Sequence, residues 1–107
     1  MIYLIITSSI ANKHGIHDAV HRERTYREAI TQTLSVLPEG IKPIIVENNG
    51  QRRTFLDDFG VDVLYTDNND FRSRHKGVNE LMDIKAVIRH FGIRDDDMVI
   101  KVTGRYK

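Results

Sequence analysis

Four runs of polar residues each close a short, apolar, β-rich segment: Thr7-Ser8-Ser9, Glu47-Asn48-Asn49, Thr66-Asp67-Asn68 and Thr103-Gly104-Arg105-Tyr106. In open α/β sheets, ligands bind in the crevice beyond the strand C-termini, so these runs are the first candidates for ligand contact. Thr7 and Ser8 are small hydroxyl residues that let a ligand come close and can hydrogen-bond a base or a ribose; equally, they can satisfy their own loop backbone. Glu47 stands where a carboxylate can accept from ribose hydroxyls. Its neighbours Asn49-Gly50 carry a turn signal instead. Asp67 can accept from a base N–H or cap its loop. His75-Lys76-Gly77 opens a helical pattern, and the free N–H groups and partial positive charge of a helix start suit phosphate. Arg72, Arg74 and Lys76 add positive charge there, and Gly77 permits close approach; the alternative is a solvated basic loop. Lys101 sits inside an apolar strand and needs a partner, either one of Asp95 to Asp97 or a bound phosphate. Arg105 follows that strand.

Other chemistries find less support. There is no Walker-type glycine loop and no GxGxxG, so an ordinary nucleoside triphosphatase or dinucleotide enzyme is not indicated. His14, His17 and His21 have no accompanying glutamate motif, and no metal site is assigned to them. Asp95-Asp96-Asp97 precedes the fourth strand and so lies on the wrong sheet edge for catalysis; it reads as a solvated turn. The chain has no cysteine, which removes disulfides and thiolate metal sites and is consistent with a reducing compartment. Sixteen basic against fifteen acidic residues give a net charge of +1. Nucleic-acid or membrane-surface binding would call for a strong basic excess. The apolar run Ile2 to Ile6 is too short for a membrane span or a signal-peptide core. A soluble cytoplasmic protein is expected.

The elements that must position these residues follow from periodicity. Ile2 to Ile6, Ile41 to Val46, Val61 to Tyr65 and Met98 to Val102 read as strands; the first has no polar alternation, as expected when both faces are covered. Pro43 is tolerated near a strand start. Between the first two strands a helix capped by Asp18 would bury Ala19, Tyr26, Ala29, Ile30, Thr33 and Leu37, with Arg24, Arg27, Glu28, Thr31 and Ser35 outward. A short helix is expected over Thr54 to Phe59, closed by Gly60. A long one runs from Lys76 to Phe91 with Gly77, Val78, Leu81, Ile84, Ile88 and Phe91 as its buried stripe. With 107 residues this is one domain. The order βαβαβαβ implies an α/β, Rossmann-like fold with a four-stranded parallel sheet and right-handed crossovers, in the order 3-2-1-4.

The stretches Ile2 to Ser9, Lys42 to Gly50, Val61 to Asn68, His75 to Leu81 and Met98 to Tyr106 resemble the donor-binding half of GT-A glycosyltransferases. The resemblance spans the whole chain. It is closer to a group of small glycosyltransferase-like proteins in which a KGVNEL-type helix precedes a strand like VIKVTGRY. It implies the N-terminal half of a GT-A fold and a UDP- or GDP-linked sugar lying across the strand C-termini. Thr7, Ser8 and Glu47 would then contact the nucleoside, with Asp67 near the base. Lys76 and Gly77 would border the diphosphate, and Lys101 and Arg105 would add positive charge. GT-A enzymes usually hold a divalent metal, Mn²⁺ or Mg²⁺, through Asp-x-Asp after the fourth strand. Here Thr103-Gly104-Arg105 stands in that place, and Arg105 offers a metal-free way to neutralise a leaving diphosphate. No catalytic residue is assigned.

The chain stops at Lys107, just past the fourth strand, and the expectation is a domain without an acceptor-binding half, able to bind a donor but inactive alone. The alternative is a non-catalytic α/β module for a nucleotide or a protein. A receiver-like regulatory domain would want acids where Thr7-Ser8-Ser9 stands. In the order 3-2-1-4 the fourth strand is an edge, so Met98, Val99, Ile100 and Val102 would lack a full cover, and a homodimer through the sheet or the crevice is an expectation.

Overall fold

The computed structural model describes residues 1–10, 19–50, 53–68 and 76–104. Seven elements follow in order: β1 (Ile2–Ser8), α1 (Ala19–Ser35), β2 (Ile41–Glu47), a 3-10 helix (Phe55–Phe59), β3 (Asp62–Tyr65), α2 (Lys76–Phe91) and β4 (Met98–Thr103). The four strands form one parallel sheet in the order β3-β2-β1-β4. The fold is therefore α/β and Rossmann-like, as the alternation of elements predicts.

Successive strand residues point to opposite faces, which divides the core in two. On one face Leu4, Ile6 and Ile45 pack with Tyr26 and Ile30 of α1 and Leu56 of the 3-10 helix. On the other, Ile5, Ile44 and Val46 pack with Val87 of α2, joined by the half-buried Ile84 and Phe91. β1 and β2 are covered on both faces, so their apolar runs lack polar alternation. α1 buries Tyr26, Ala29 and Ile30 and exposes Arg24, Arg27, Glu28, Thr31 and Ser35, as its periodicity predicts. Its expected cap, Asp18, lies outside the described residues.

α2 docks differently from expectation. Val78, Leu81 and Ile88 are 47%, 50% and 37% exposed, whereas Asn79, Asp83 and Val87 are buried. The helix is rotated by roughly a third of a turn from the position its apolar stripe suggests, counting 3.6 residues per turn. The physical reason is a set of hydrogen-bond donors at the ends of β2 and β3 that receives Asp83. Apolarity alone does not carry that information.

β4 pairs only with β1 and is an edge strand. Met98 is 58% and Ile100 40% exposed, while Val99 and Val102 are half-buried against the two core clusters. The partner of Lys101 also differs from one of the two expectations. Its ammonium pairs with Glu80 of α2 and not with Asp95, Asp96 or Asp97. Asp97 instead accepts from the Arg94 N–H at 2.9 Å and meets the N-terminal ammonium at 3.3 Å. Those two contacts, the backbone one first, hold the Asp97 carboxyl below the usual aspartate range. No helix among the described residues is long and apolar enough to cross a membrane.

Candidate functional site

The polar residues that close the apolar runs are still inside the sheet. β1 runs through Ser8 and β2 through Glu47, so the last rung pairs Ser8 with Glu47; one rung earlier, Thr7 lies between Val46 and Thr103. Thr7, Ser8 and Glu47 are all buried. A buried carboxylate is costly unless hydrogen-bonded. Glu47 accepts from the Ile10 N–H at 3.1 and 3.2 Å and from Asn49 Nδ2 at 3.2 Å. Ser8 Oγ reaches both Glu47 Oε1, at 3.1 Å, and the Val46 carbonyl, at 3.2 Å. Glu47 thus ties the chain leaving β1 to the end of β2, and Asn49 adds a bond to Ser9 Oγ at 3.1 Å.

The switch point of the winding lies between β1 and β4. β1 leads through α1 to β2 in one direction, and β3 leads through α2 back across β1 to β4. Such switch points place ligand crevices. Here the Gly104 N–H donates to the Thr7 carbonyl at 2.7 Å. A Cβ on Gly104 would lie 3.0 Å from that carbonyl oxygen and 3.2 Å from both Ile6 Cγ2 and Tyr26 Cδ1, so a larger residue fits only if these neighbours give way. The Tyr26 hydroxyl accepts from the Ser9 N–H at 3.2 Å, and Arg22 Nε donates to the Ser9 carbonyl at 2.7 Å with its guanidinium 5.5 Å from the Tyr26 ring centre. Sequence reasoning missed Arg22 and Tyr26 because a helix stripe read locally says nothing about a loop thirteen or seventeen residues away.

On the α2 side of the same strand ends, Lys101 and Thr103 share a face of β4, and Lys101 Nζ lies 3.4 Å from Thr103 Oγ1. The Glu80 carboxylate joins Lys101. The KGVNEL and VIKVTGRY stretches, distant along the chain, therefore meet through one ion pair. Lys76 and Gly77 form the start of α2.

A second buried acid, Asp83, anchors α2 to the ends of β2 and β3. It accepts from Asn68 Nδ2 at 2.7 Å, from the Thr66 hydroxyl at 2.8 Å and from Asn48 Nδ2 at 3.1 Å. Burial pushes its carboxyl above the usual aspartate range, and the three donors pull it partway back. Nothing in the sequence marked Asp83 as special except its place four residues from both Asn79 and Val87, on one helical face.

At the β3 edge, an open groove of about 560 Å³ has Leu64, Met82 and Ala86 among its apolar lining, Lys85 and Arg89 as its cations, and His90 beside them. Asp67 and Tyr65 also line it. Tyr65 donates to Asp57 Oδ2 at 2.7 Å, and Asp57 accepts from the Thr54 N–H at 2.9 Å, closing a capping box on the 3-10 helix. The backbone bond from Thr54 and then the Tyr65 hydroxyl hold the Asp57 carboxyl below its ordinary range.

The expected residues divide into three groups. Ser8 and Glu47 come together as buried framework on one face of the sheet, Thr7 is buried one rung earlier on the other face, and Lys101 stands on β4 in register with Ile5. Asp67 is exposed on the far, β3 side. Arg105, with His14, His17, Arg72 and Arg74, lies outside the described residues; His21 is on the exposed side of α1. No family model, no curated protein and no solved structure matches this chain.

Proposed function

We propose that the chain binds a nucleotide-sugar donor, UDP- or GDP-linked, at the C-terminal ends of its parallel strands, as the donor-binding half of a GT-A type glycosyltransferase does. The observation that carries this reading is the meeting of the two motif stretches at the switch point: Glu80 pairs with Lys101 beside Thr103 and the closely packed Gly104. An ammonium held next to a crevice and the start of a helix is suited to a diphosphate. The buried Glu47 and Ser8 then act by fixing the course of the β1 loop that borders the nucleoside. Titration of labelled protein with UDP, GDP and their sugar conjugates, with and without Mg²⁺, tests it. Shifts at Thr7 to Ile10, Lys101 and Gly104 are expected. No shift with any nucleotide at millimolar concentration overturns the reading.

A second reading, a module that binds protein or pairs with its own copy, draws on the exposed Met98 and Ile100 beside the open β4 edge. Sedimentation equilibrium separates the two: a dimer that Met98→Lys dissolves, with no nucleotide response, would favour the second.

A further inference from the structure

Among the described residues, two side-chain oxygens are buried without a donor. Asn48 Oδ1 and Asn79 Oδ1 have no hydrogen-bond partner among the described residues, and their residues are only 8% and 5% exposed. Buried polar atoms are nearly always paired, so each such exception calls for an explanation. Turning the Asn48 amide over does not supply one. Its Nδ2 donates to Asp83 Oδ2, and a flipped amide would set two oxygens against each other there. Asp83 therefore fixes which way Asn48 Oδ1 points: away from the Asp83 carboxylate. Asn79 lies one helical turn nearer the start of α2 than Asp83, on the same face. α2 connects two parallel strands, so its N-terminal turn lies at the C-terminal edge of the sheet, as does Asn48, one residue past β2.

We propose that Asn48 and Asn79 are acceptors for N–H groups of a nucleobase, with Asp83 as the positioning residue that orients Asn48. This deepens the donor-site reading and rests on it. The chemistry required is a planar heterocycle with a ring N–H or an amino group, which all four common bases supply in different arrangements. Unprotonated phosphate and ring-ether oxygens cannot fill the role, because two acceptors need donors; ribose hydroxyls can donate but are the same in all four nucleosides, so a response that differs among nucleosides reads the base. The stability of the fold and the affinity for the base are expected to separate at Asn79, because its side chain takes no part in the network around Asp83.

The test uses the whole chain, labelled with ¹⁵N, and probes that carry the base without the phosphate and the reverse. Uridine, guanosine, cytidine and adenosine are titrated separately, followed by inorganic pyrophosphate. The expected result is that at least one nucleoside moves the side-chain amide signals of both Asn48 and Asn79 beyond that of the exposed Gln32. Asn79→Ala should then leave the unfolding midpoint unchanged and weaken that nucleoside about tenfold, the loss expected for one hydrogen bond to a buried acceptor. If pyrophosphate moves Lys101 and Gly104 while every nucleoside leaves Asn48 and Asn79 unmoved, the base contact is overturned and the donor site stands. If neither class of probe moves anything, both fall together. A long-lived water seen by cross-relaxation at both amides, undisturbed by every nucleoside, would also overturn the proposal, as would an Asn79→Ala variant that loses stability but no affinity.

Discussion

On the β2–β3 flank of β1 two carboxylates are buried and each held by several donors; on the β4 flank the charged groups are only partly buried and joined by one ion pair. Glu47 and Asp83, both fully buried, gather donors from Ile10, Asn49, Thr66, Asn68 and Asn48. Across the switch point, Lys101 and Glu80 keep about a third of their side-chain surface in water. The contrast has consequences. A satisfied buried network holds one geometry, and opening it leaves several groups unpaired at once. A half-exposed ion pair is screened by solvent and can exchange partners at little cost. One flank is built to hold a shape and the other to meet a charge.

The strongest way to break this comparison is Asp83→Ala. It leaves three donors, two of them buried, without an acceptor, and a loss of about 3–5 kcal/mol in urea unfolding is expected. A loss below about 1 kcal/mol would mean that water replaces the carboxylate and that the flank is not closed. Glu47→Ala should cost somewhat less, about 2–3 kcal/mol, with amide signals of Ser8 to Ile10 displaced most, since that segment loses its tie to β2. Gly104→Ala probes the seam between the flanks. The added Cβ meets backbone at 3.0 Å, and about 1–3 kcal/mol of overpacking is expected, with a chemical-shift change at Thr7.

Titration sharpens the comparison further. The buried Asp83 is raised above the ordinary aspartate range and Asp57 at the 3-10 helix is lowered, so carbon-detected NMR should show the two carboxyls titrating on opposite sides of that range. Their linkage to stability has opposite sign. Between the ordinary value and the raised one, folded Asp83 holds more proton than the unfolded chain, so its contribution falls as pH rises through that window and is constant above it. Asp57 contributes fully above the ordinary value, and its contribution is lost as pH falls through its lowered one. The smallest effect belongs to the open flank. Lys101→Met or Glu80→Gln should change stability by less than about 1 kcal/mol, and added salt should erase the difference.

Much of the fold was legible in advance. Apolar runs without alternation marked strands covered on both faces, and glycines such as Gly60, with φ of 73° at the end of the 3-10 helix, marked the stops. The site was legible only as a place. Polar residues at the strand ends pointed to the C-terminal edge, yet Thr7, Ser8 and Glu47 proved to be the last rungs of the sheet and not its free loops. Asp83, Asn79, Arg22 and Tyr26 were not legible, since each acts on residues far along the chain.

The sequence by itself determined the order of elements, the parallel sheet and the edge on which chemistry can occur, because strand and helix periodicities are local and right-handed crossovers leave few windings. Only the tertiary structure decided which face of α2 turns inward and which acid takes Lys101. Three donors 15, 17 and 35 residues from Asp83 outweighed the apolar stripe of Val78, Leu81 and Ile88. A buried carboxylate must find its donors wherever the fold supplies them, whereas an aliphatic side chain left half in water forfeits only part of its burial energy.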